Sequence, residues 1–334
     1  LGALDAYCEL AADRESVTLA AGMTIGDLRR YLTQHGLWLP LDPPGRSDRT
    51  LGSIIATGTS GPLQTGFGEV SHRLAGLTIA TGDGRVALTG RFHAGGFGAC
   101  GVSTRCSLLV EPAPAIDLTW IASGDRESLV EGARDIAAEG IEVAAAELFS
   151  PAFTDDGRWL LAIRLVGETE VVFDQLARLP AITGLEGAPA PDERHAGLWA
   201  SAARAITTVP ITVRARTLPV GIDTGIDLLS NGLGQGMQSV SVLTGAIRWS
   251  GVAHLAALRR LRNQLAEREI PLTLERAPWR VSRALGHFGP YRERPRLDVA
   301  PLRQRYDPAG VFAAATRQGE RAPRYDCGVV ADWW

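Results

Sequence analysis

Residues 39–61 read LPLDPPGRSDRTLGSIIATGTSG, and they join a proline turn to a short apolar run and a cluster of small polar residues. The Asp-Pro-Pro-Gly quartet at residues 42–45 predicts a turn, because proline fixes φ and glycine accepts conformations that other residues avoid. Residues 53–57 form a β-branched stretch between glycines, and we expect residues 50–61 to be a Gly/Ser-rich loop. Such a loop is either a plain surface connection or a cradle for an anionic group.

The glycines and hydroxyls of this loop are suited to holding phosphate. Glycine lets backbone N–H groups approach an anion closely and adopts positive φ readily. The 34 residues counted as Lys+Arg are all arginine, so neutral donors are the expected means of binding. The donors that the loop offers belong to Gly52, Gly58, Gly61, Ser53, Thr57, Thr59 and Ser60.

A second glycine-rich stretch, GGFGACGVSTRCSLLVEPAP at residues 95–114, leads into a predicted strand. Residues 96–101 match the pattern G-x-G-x-x-G, which supports a dinucleotide site only when a strand precedes it and a helix follows. Residues 91–95 make a poor strand, and residues 102–110 are rich in β-formers. A nicotinamide-binding Rossmann site is therefore not expected.

The rest of the first third contains short predicted elements. Residues 17–21 and 74–80 are typical of strands, and Gly-Asp-Gly at residues 82–84 predicts a hairpin turn after the second of them. Residues 24–36 have helical spacing, with Thr24 as the expected N-cap and Gly36 as the expected end.

From about residue 115 the pattern changes to alternating strands and helices. Strands are predicted at residues 116–121, 142–149, 159–166, 211–218, 239–248 and 271–275. Helices are predicted at residues 126–138, 168–178, 222–229 and 252–267, and a loose Pro/Gly stretch follows the second helix. This βαββαβ order occurs twice and predicts an antiparallel α+β domain.

Composition excludes several classes of protein. Without lysine, neither a Schiff base, a pyridoxal-phosphate anchor nor a Walker phosphate loop is possible. The four cysteines (Cys8, Cys100, Cys106 and Cys327) lack C-x-x-C spacing, so we expect reduced thiols and no metal site. The net charge of −3 gives no sign of nucleic-acid binding. No apolar run approaches the roughly 20 residues of a membrane span, no export signal is visible, and a cytoplasmic location is expected.

Several segments, in the same order, resemble the FAD-linked oxidases of the vanillyl-alcohol-oxidase type, which carry a PCMH-type FAD-binding domain. Residues 39–61 are similar to that family's T-x-G-G-x-x-x-x-G-x-x-G segment, and residues 95–114 to its G-S-x-G-T-L-G-V-I-T-E segment and following P-x-P. Residues 68–76 and 82–85 resemble the phrases between them, and LRQRYDPAGVF at residues 302–312 resembles the family's closing segment. Within the family the chain looks like a shortened, partly degenerate FAD-binding subunit of glycolate oxidase.

The resemblance implies a fold, a cofactor and a domain division. The implied fold is α+β, with a PCMH-type FAD-binding domain over residues 1–114, of which the second subdomain is retained. An α+β ferredoxin-like cap covers residues 115–290, and residues 291–334 return to the flavin domain. The implied cofactor is FAD, and its expected contacts are Thr50, Gly52, Ser53, Ile54, Thr57, Gly58, Ser60, Gly61, Gly98, Gly101 and Val102.

The resemblance breaks in three places. The family's N-terminal subdomain, whose Gly-rich turn binds the pyrophosphate from the other side, is expected to be missing. Residues 89–94 replace the family segment K-N-V-A-G-Y-D-L-x-K-L, and Ala-Ala-Ala-Thr at residues 313–316 replaces N-P-G. A lost wall removes hydrogen bonds to charged groups, each worth about 1.5–3 kcal/mol. A flavin-free chain, or one completed by a partner subunit of a heteromeric oxidoreductase, is therefore the alternative.

The candidate chemistry follows from what flavin oxidation of a hydroxy acid requires, namely a cation for the carboxylate and a base for the hydroxyl proton. Arg214 and Arg216 share one face of a predicted cap strand, and Arg248 ends another. His287 is the candidate base, with His195 as a second choice. These arginines are otherwise ordinary sheet-face residues, and the histidines ordinary structural ones. No local signature favours a covalent flavin link at His93 or Cys100.

Three functional hypotheses follow. The first is an FAD-dependent oxidoreductase, or a subunit of one, that oxidises a small 2-hydroxy acid resembling glycolate or lactate, or a related alcohol. The second is a flavin-free homologue that acts as a structural or regulatory subunit of a heteromeric complex. The third is a small-molecule-binding module or non-redox enzyme that uses the cap.

Overall fold

The computed structural model describes residues 7–154, 156–289 and 300–312, and these residues divide into two compact units. The first unit contains the described residues up to Ala113 together with residues 300–312. The second unit begins at Pro114 and contains the described residues up to 289. Each unit has a hydrophobic core of its own.

The first unit is built on an antiparallel five-stranded sheet of order β1-β2-β6-β4-β5, and β3 pairs separately with β7. Its strands are β1 (Cys8–Leu10), β2 (Ser16–Ala20), β3 (Leu37–Trp38), β4 (Leu74–Ala80), β5 (Val86–Thr89), β6 (Val102–Leu109) and β7 (Glu111–Pro112). Its N-terminal helices are α1 (Ile25–Gln34), α2 (Leu51–Thr57), α3 (Gln64–Phe67) and α4 (Val70–Arg73).

Helix α1 forms as the sequence predicts. The Thr24 hydroxyl accepts a hydrogen bond from the Asp27 N–H, which satisfies one of the donors left open at a helix start. Leu28 and Leu32 are fully buried on one face, and Gly36 follows the helix with φ +64°. The predicted hairpin between β4 and β5 is also confirmed, with Ala80 opposite Val86.

The expected loop at residues 50–61 is wrong in its first half, because residues 51–57 form helix α2. Thr50 caps this helix by accepting the Ser53 N–H, and Gly58 ends it in the left-handed conformation with φ +59°. Ile54 and Ile55 are fully buried in the core. Their β-branched character suggested extended structure, but burial and two good caps outweigh such a weak local preference.

The second unit is an antiparallel eight-stranded sheet of order β11-β8-β10-β9-β13-β14-β12-β15. Its strands are β8 (Ile116–Gly124), β9 (Ala145–Phe149), β10 (Trp159–Gly167), β11 (Gly187–Pro189), β12 (Ile211–Arg216), β13 (Met237–Ser241), β14 (Ala246–Gly251) and β15 (Leu272–Arg276). Its helices are α5 (Arg126–Ala138), α6 (Thr169–Thr183), α7 (Asp192–Thr208), α8 (Ile222–Leu233), α9 (Leu255–Glu267) and α10 (Trp279–Leu285).

This sheet consists of two ferredoxin-like halves. The first half is β8-α5-β9-β10-α6-β11, and the second half is β12-α8-β13-β14-α9-β15. In each half the first strand lies between the third and the fourth, which is the ferredoxin-like order, and the halves join where β9 pairs with β13. The predicted repetition of the βαββαβ order therefore reflects two halves of one continuous sheet.

Alternating residues divide the sheet into two faces. On β10, Leu161, Ile163 and Leu165 point into the core that helices α5 and α6 cover. Leu160 and Ala162 point to the opposite face, where they pack against Ala202 of α7. We name this opposite side the second face of the sheet, and it carries most of the polar side chains discussed below.

Two predictions in this unit are wrong. The loose stretch after α6 contains the 17-residue helix α7, whose alanine-rich, sparsely apolar face gave little periodic signal. The single strand predicted at residues 239–248 is a hairpin of β13 and β14. Its turn depends on Gly245, which has φ +75° and whose Cβ would lie 2.0 Å from the Thr217 carbonyl oxygen.

The described C-terminal residues belong to the first unit and begin with helix α11 (Ala300–Tyr306). The Tyr306 carbonyl accepts the N–H of Gly82 in the β4–β5 turn at 2.9 Å. The buried Asp307 carboxylate accepts the N–H groups of Val311 and Phe312, which shapes the Asp-Pro turn. Residues 313–316 lie outside the described residues. Among the described residues, no helix is long and apolar enough to cross a membrane.

Candidate functional site

The first candidate site is centred on α2 in the first unit. At the start of this helix the backbone donors are already used within the chain, since the Leu51 N–H bonds the Met23 carbonyl at 2.9 Å and the Gly52 N–H bonds the Ala21 carbonyl at 2.8 Å. The next donor, the Ser53 N–H, bonds the Thr50 hydroxyl. The first turn of α2 is therefore occupied by its own chain.

The other end of α2 brings the two glycine-rich stretches together. A Cβ on Gly58 would lie 2.9 Å from the Gly95 Cα, so only glycine permits this approach. The Gly95 N–H bonds the Ile55 carbonyl at 2.9 Å, and the Phe97 N–H bonds the Ala56 carbonyl at 2.8 Å. We name this place, where residues 55–58 meet residues 95–97, the glycine junction.

The predicted hydroxyl donors mostly act inside the loop. The Ser53 hydroxyl donates to the Thr50 carbonyl, and the Thr57 hydroxyl to the Ser53 carbonyl, both at 2.8 Å. The Ser60 hydroxyl is buried and accepts the Val70 N–H at 3.2 Å. These contacts explain why small polar residues stand here without requiring a ligand.

The remaining predicted cofactor residues lie in different environments. Ile54 is fully buried, so its side chain belongs to the core, and a Cβ on Gly61 would meet the Asp42 carbonyl at 1.9 Å. Gly98 has φ +70°, and a Cβ at this position would make only ordinary van der Waals contact, with the nearest atom 3.7 Å away. Gly101 packs against the Ala80 carbonyl, and the Val102 side chain is exposed at the start of β6.

The arginine nearest to these residues was missed by the sequence analysis. One terminal nitrogen of Arg49 donates to the Pro44 carbonyl at 2.6 Å, and the other donates to the Thr57 hydroxyl at 3.2 Å. The guanidinium is thus held at the loop that leads to the glycine junction. A signal was present, because Arg49 directly precedes the helix cap Thr50 in a chain that has no lysine.

These contacts decide how the first unit fits FAD. Gly95 and Gly98 have positive φ and no side chain that would keep a ligand from the backbone, and Arg49 supplies positive charge close by. The start of α2 does not offer free donors of the kind that helix N-termini offer to phosphate. The residues present therefore fit the cofactor at the glycine junction and not at the first turn of α2.

His93 and Cys100 lie beside this region and are both partly or wholly buried. Burial lowers the pKa of His93, whose ring packs edge-on against Tyr306 at 5.1 Å between centroids. Burial also raises the pKa of the Cys100 thiol, which disfavours the reactive thiolate. Neither environment favours the His93 ring or the Cys100 thiol as the nucleophile of a covalent flavin link.

The second candidate site lies on the second face of the sheet in the second unit. Arg214 on β12 is directly opposite Arg248 on β14, and both ion-pair with Glu275 on β15. The Arg248 Nε and Nη2 atoms donate to the two Glu275 oxygens at 2.6 and 3.1 Å. The Arg214 Nε lies 3.2 Å from Glu275 Oε1. We name these three residues the arginine cluster.

The other two predicted catalytic residues, Arg216 and His287, are not among these three residues. Arg216 points to the same face as Arg214 but is exposed. His287 lies along β15 on the side away from β12, since the adjacent Phe288 bridges Thr273. Its Nδ1 is 3.2 Å from the Leu274 carbonyl, which can only accept, so in this contact Nδ1 is the donor.

A polar cluster in the first half of the sheet was also missed. The fully buried Thr119 hydroxyl accepts the Trp199 indole N–H at 2.8 Å and lies 2.8 Å from His195 Nδ1. Arg164 pairs with both oxygens of Asp117 and lies against the Trp199 ring. Burial lowers the pKa of His195, and Asp117 opposes that effect in part. His195 and Trp199 are four residues apart on α7, a spacing that could have indicated this cluster.

Comparison with known proteins supports the resemblance to FAD-linked oxidases. Residues 1–90 match the family model of the FAD binding domain. A probable mitochondrial D-lactate dehydrogenase of Danio rerio is 25% identical over 170 residues, which are 46% of this chain and 33% of that protein. The match therefore spans about a third of the length of that relative.

Two solved structures of alkyldihydroxyacetonephosphate synthase share the fold, each with a TM-score of 0.70 and 12% identity over 95% of this chain and 67% of theirs. The sequence match and the shared fold agree with the segments quoted above. The match over residues 1–90 and the shared fold support the resemblance of the chain to the FAD-linked oxidases that carry a PCMH-type FAD-binding domain.

Proposed function

We propose that this protein is an FAD-dependent oxidoreductase, or a subunit of one, that oxidises a small 2-hydroxy acid such as glycolate or lactate. The observation that carries the proposal is the glycine junction, where the two stretches that resemble the family's flavin segments meet through Gly58 and Gly95. The match of residues 1–90 to an FAD binding domain supports the cofactor. The similarity to a probable D-lactate dehydrogenase supports the substrate class.

In this proposal the two units have separate tasks. The first unit holds FAD at residues 58–61 and 95–98, with Arg49 contributing charge to the pyrophosphate. FAD supplies the hydride acceptor for oxidation of the substrate carbon. In the second unit, Arg214 and Arg248 bind the substrate carboxylate, because guanidinium groups pair with carboxylates in a matched planar geometry. His287 Nε2 accepts the proton of the substrate hydroxyl, and Arg216 draws anions towards the face.

A visible absorption spectrum of the purified protein, taken before and after adding FAD, tests this proposal. Bound oxidised flavin gives bands near roughly 375 and 450 nm, and glycolate or lactate should bleach the second band. Gly58→Ala should abolish flavin uptake, since the new Cβ would collide with Gly95. Gly36→Ala is the matched control, because Gly36 also has positive φ after a helix but has open space around its Cβ position. Equal flavin uptake by both variants would argue against the glycine junction.

One observation favours the second candidate function, a flavin-free structural or regulatory subunit of a heteromeric complex. The donors of the first turn of α2 and the loop hydroxyls are used within the chain. These N–H and hydroxyl groups therefore have hydrogen-bond partners without a cofactor. Absence of flavin bands after FAD addition, together with copurification of a flavoprotein partner, would support this function over the first. A flavin-free monomer that copurifies with nothing would count against both.

A further inference from the structure

We propose that the substrate bound on the second face of the sheet is a 2-hydroxy acid with a further hydroxyl group on the third carbon, and that Ser239 binds this second hydroxyl. The inference rests on the proposed function, because it takes Arg214 and Arg248 as the residues that bind the carboxylate. It goes further by naming a substrate class, the 2,3-dihydroxy acids of which glycerate is the smallest, and a further specificity-determining residue.

The first observation is the row of residues in which Ser239 lies. Ser239 on β13 is directly opposite Arg248 on β14, and Arg248 is directly opposite Arg214 on β12. Directly opposed residues of an antiparallel sheet share a face, with Cβ atoms about 4.5–5.5 Å apart. This is the second face, because Val240, next to Ser239 along β13, belongs to the core on the helical side. Ser239 therefore adjoins Arg248 on the side away from Arg214.

The second observation is that the Ser239 hydroxyl is available to a ligand, since it hydrogen-bonds none of the residues that the structure describes. Ser239 is half-buried, and its oxygen is accessible, because it is not one of the fully buried, unpaired side-chain atoms of the described residues. Other hydroxyls on this face are used within the protein. Ser241 donates to the buried Glu147, and Thr212 bonds Ser250 at 3.1 Å. A half-buried hydroxyl without a partner beside an arginine is suited to a polar group of a ligand.

The third observation is the apolar residue on the other side of Ser239. Phe149 on β9 is directly opposite Ser239, is fully buried, and packs with Leu160 and with Ala202 of α7. A ligand whose carboxylate lies on the arginines therefore meets a hydroxyl first and an aromatic ring next. The ring disfavours a second charged group at this end of the ligand, because burying a charge without a partner is costly. A neutral hydroxyl that bonds Ser239 carries no such cost.

These surroundings decide which 2-hydroxy acid fits best. A hydroxyl on the third carbon of the substrate can donate to or accept from the Ser239 hydroxyl, which has one donor and two acceptor positions. The methyl group of lactate would cover the same hydroxyl without bonding it, and a hydroxyl that loses its hydration without a new partner weakens binding. Glycolate has no third carbon and would leave Ser239 without a contact. The site therefore favours a 2,3-dihydroxy acid.

Isothermal titration of the chain with glycerate and with lactate tests the inference, because these two acids differ by one hydroxyl group. Both enantiomers are measured, and acids of the same configuration are compared. The native protein should bind glycerate about five- to tenfold more tightly than lactate in the configuration that it prefers. Ser239→Ala removes the hydroxyl and keeps a small side chain, so the two affinities should come within about twofold of each other, chiefly because glycerate binds less tightly.

Two control variants separate Ser239 from other hydroxyls of the same row. Ser123→Ala removes a half-buried hydroxyl on β8, opposite Leu160, in the first half of the sheet. Thr273→Val removes a hydroxyl on β15, directly opposite Arg214. Both variants should keep the native ratio of the two affinities. A loss of preference in either control equal to that in Ser239→Ala would overturn the assignment to Ser239.

The native protein decides the matter even if Ser239→Ala does not fold. Equal affinity for the two acids, tighter binding of lactate, or no binding of either acid would overturn the inference. The titration needs no flavin reduction, so it is independent of the absorption experiment. A preference for glycerate that depends on Ser239, without flavin bands after FAD addition, would leave the inference standing and remove the proposed redox function. Bleaching of the flavin by lactate, with equal affinities for the two acids, would do the reverse.

Discussion

The two halves of the eight-stranded sheet have the same strand order but different chemistry on the second face. In the first half, α7 covers this face, and Thr119 ties the helix to the sheet through Trp199 and His195. In the second half, the face carries the arginine cluster, in which the buried Glu275 carboxylate ion-pairs with both arginines. The comparison teaches that the same strand order accommodates a packed helix on the second face of one half and a cluster of ion pairs on the second face of the other.

The largest expected effect comes from removing the carboxylates of the two halves in turn. Glu275→Ala removes the buried carboxylate that pairs with two partly buried guanidinium groups, and we expect a loss of about 3–5 kcal/mol in the free energy of unfolding. Asp117→Ala removes the partner of Arg164 at a more exposed place, and we expect about 1 kcal/mol or less. Urea denaturation of both variants measures the difference. Equal losses would mean that the two halves do not differ as described.

A smaller effect is expected from two equally buried threonines on the second face. Thr119→Val removes the acceptor of Trp199 and the partner of His195, and we expect a loss of about 2–3 kcal/mol. Thr212→Val removes one hydroxyl contact, to Ser250 at 3.1 Å, and we expect about 1 kcal/mol. Thr119→Val should also speed proteolytic cleavage within α7, measured by mass spectrometry, while Thr212→Val should not.

The free energy of unfolding should depend on pH through His195, which lies against the first half of the sheet. Because burial lowers the pKa of His195 in the folded protein, the unfolded chain takes up the proton first as the pH falls below about 6.5. The unfolding free energy should therefore decrease from neutral pH downwards, and the decrease should stop below the folded pKa. His195→Gln should flatten this dependence by less than about 1.4 kcal/mol per pH unit.

His93 also has a lowered pKa and contributes in the same direction, so His93→Gln is the comparison variant. Unfolding curves across the acidic range give both contributions. An unchanged slope in His195→Gln would mean that the ring is neutral or charged to the same extent in the folded and unfolded states.

The smallest effect concerns the ion pairs that join the halves on the helical side. Arg126 of α5 pairs with Asp227 of α8 at 2.5 Å, and Arg134 pairs with Asp223 at 3.2 Å. Asp227→Asn should cost about 0.5–1 kcal/mol at low salt and almost nothing at high salt, because the Asp227 side chain is half exposed. Thermal unfolding at two salt concentrations checks this. A loss that salt does not change would indicate packing rather than charge.

Much of the fold was predictable because its signals are local. The Thr24 cap and the β4–β5 hairpin each depend on residues a few positions apart, and both are confirmed. Helix α2 and helix α7 were not predicted, because their formation depends on burial of Ile54 in one core and Ala202 in another. The division of residues 239–248 into a hairpin depends on Gly245 fitting beneath Thr217, a contact between distant parts of the chain.

The candidate site also contains some residues that could be predicted from the sequence and others that could not. Arg214 and Arg216 could be chosen from the sequence because alternation on a strand places their side chains on one face, and Arg248 because it ends another predicted strand. Glu275, the partner of Arg214 and Arg248, could not, since it lies 27 residues beyond Arg248 and reaches it across an intervening strand. The contact between Arg49 and Thr57 and the contact between Thr119 and Trp199 of α7 could not be predicted from the sequence either.

The sequence by itself indicated the resemblance to a family, the α+β class, the twofold βαββαβ pattern and the types of residue available for chemistry. These properties depend on composition, order and periodicity, which are written along the chain. Only the tertiary structure decided that Gly58 meets Gly95, that the start of α2 is occupied by its own chain, and that Glu275 ion-pairs with both Arg214 and Arg248. These are contacts between residues far apart in sequence, and their energies depend on burial and distance, which exist only after the chain has folded.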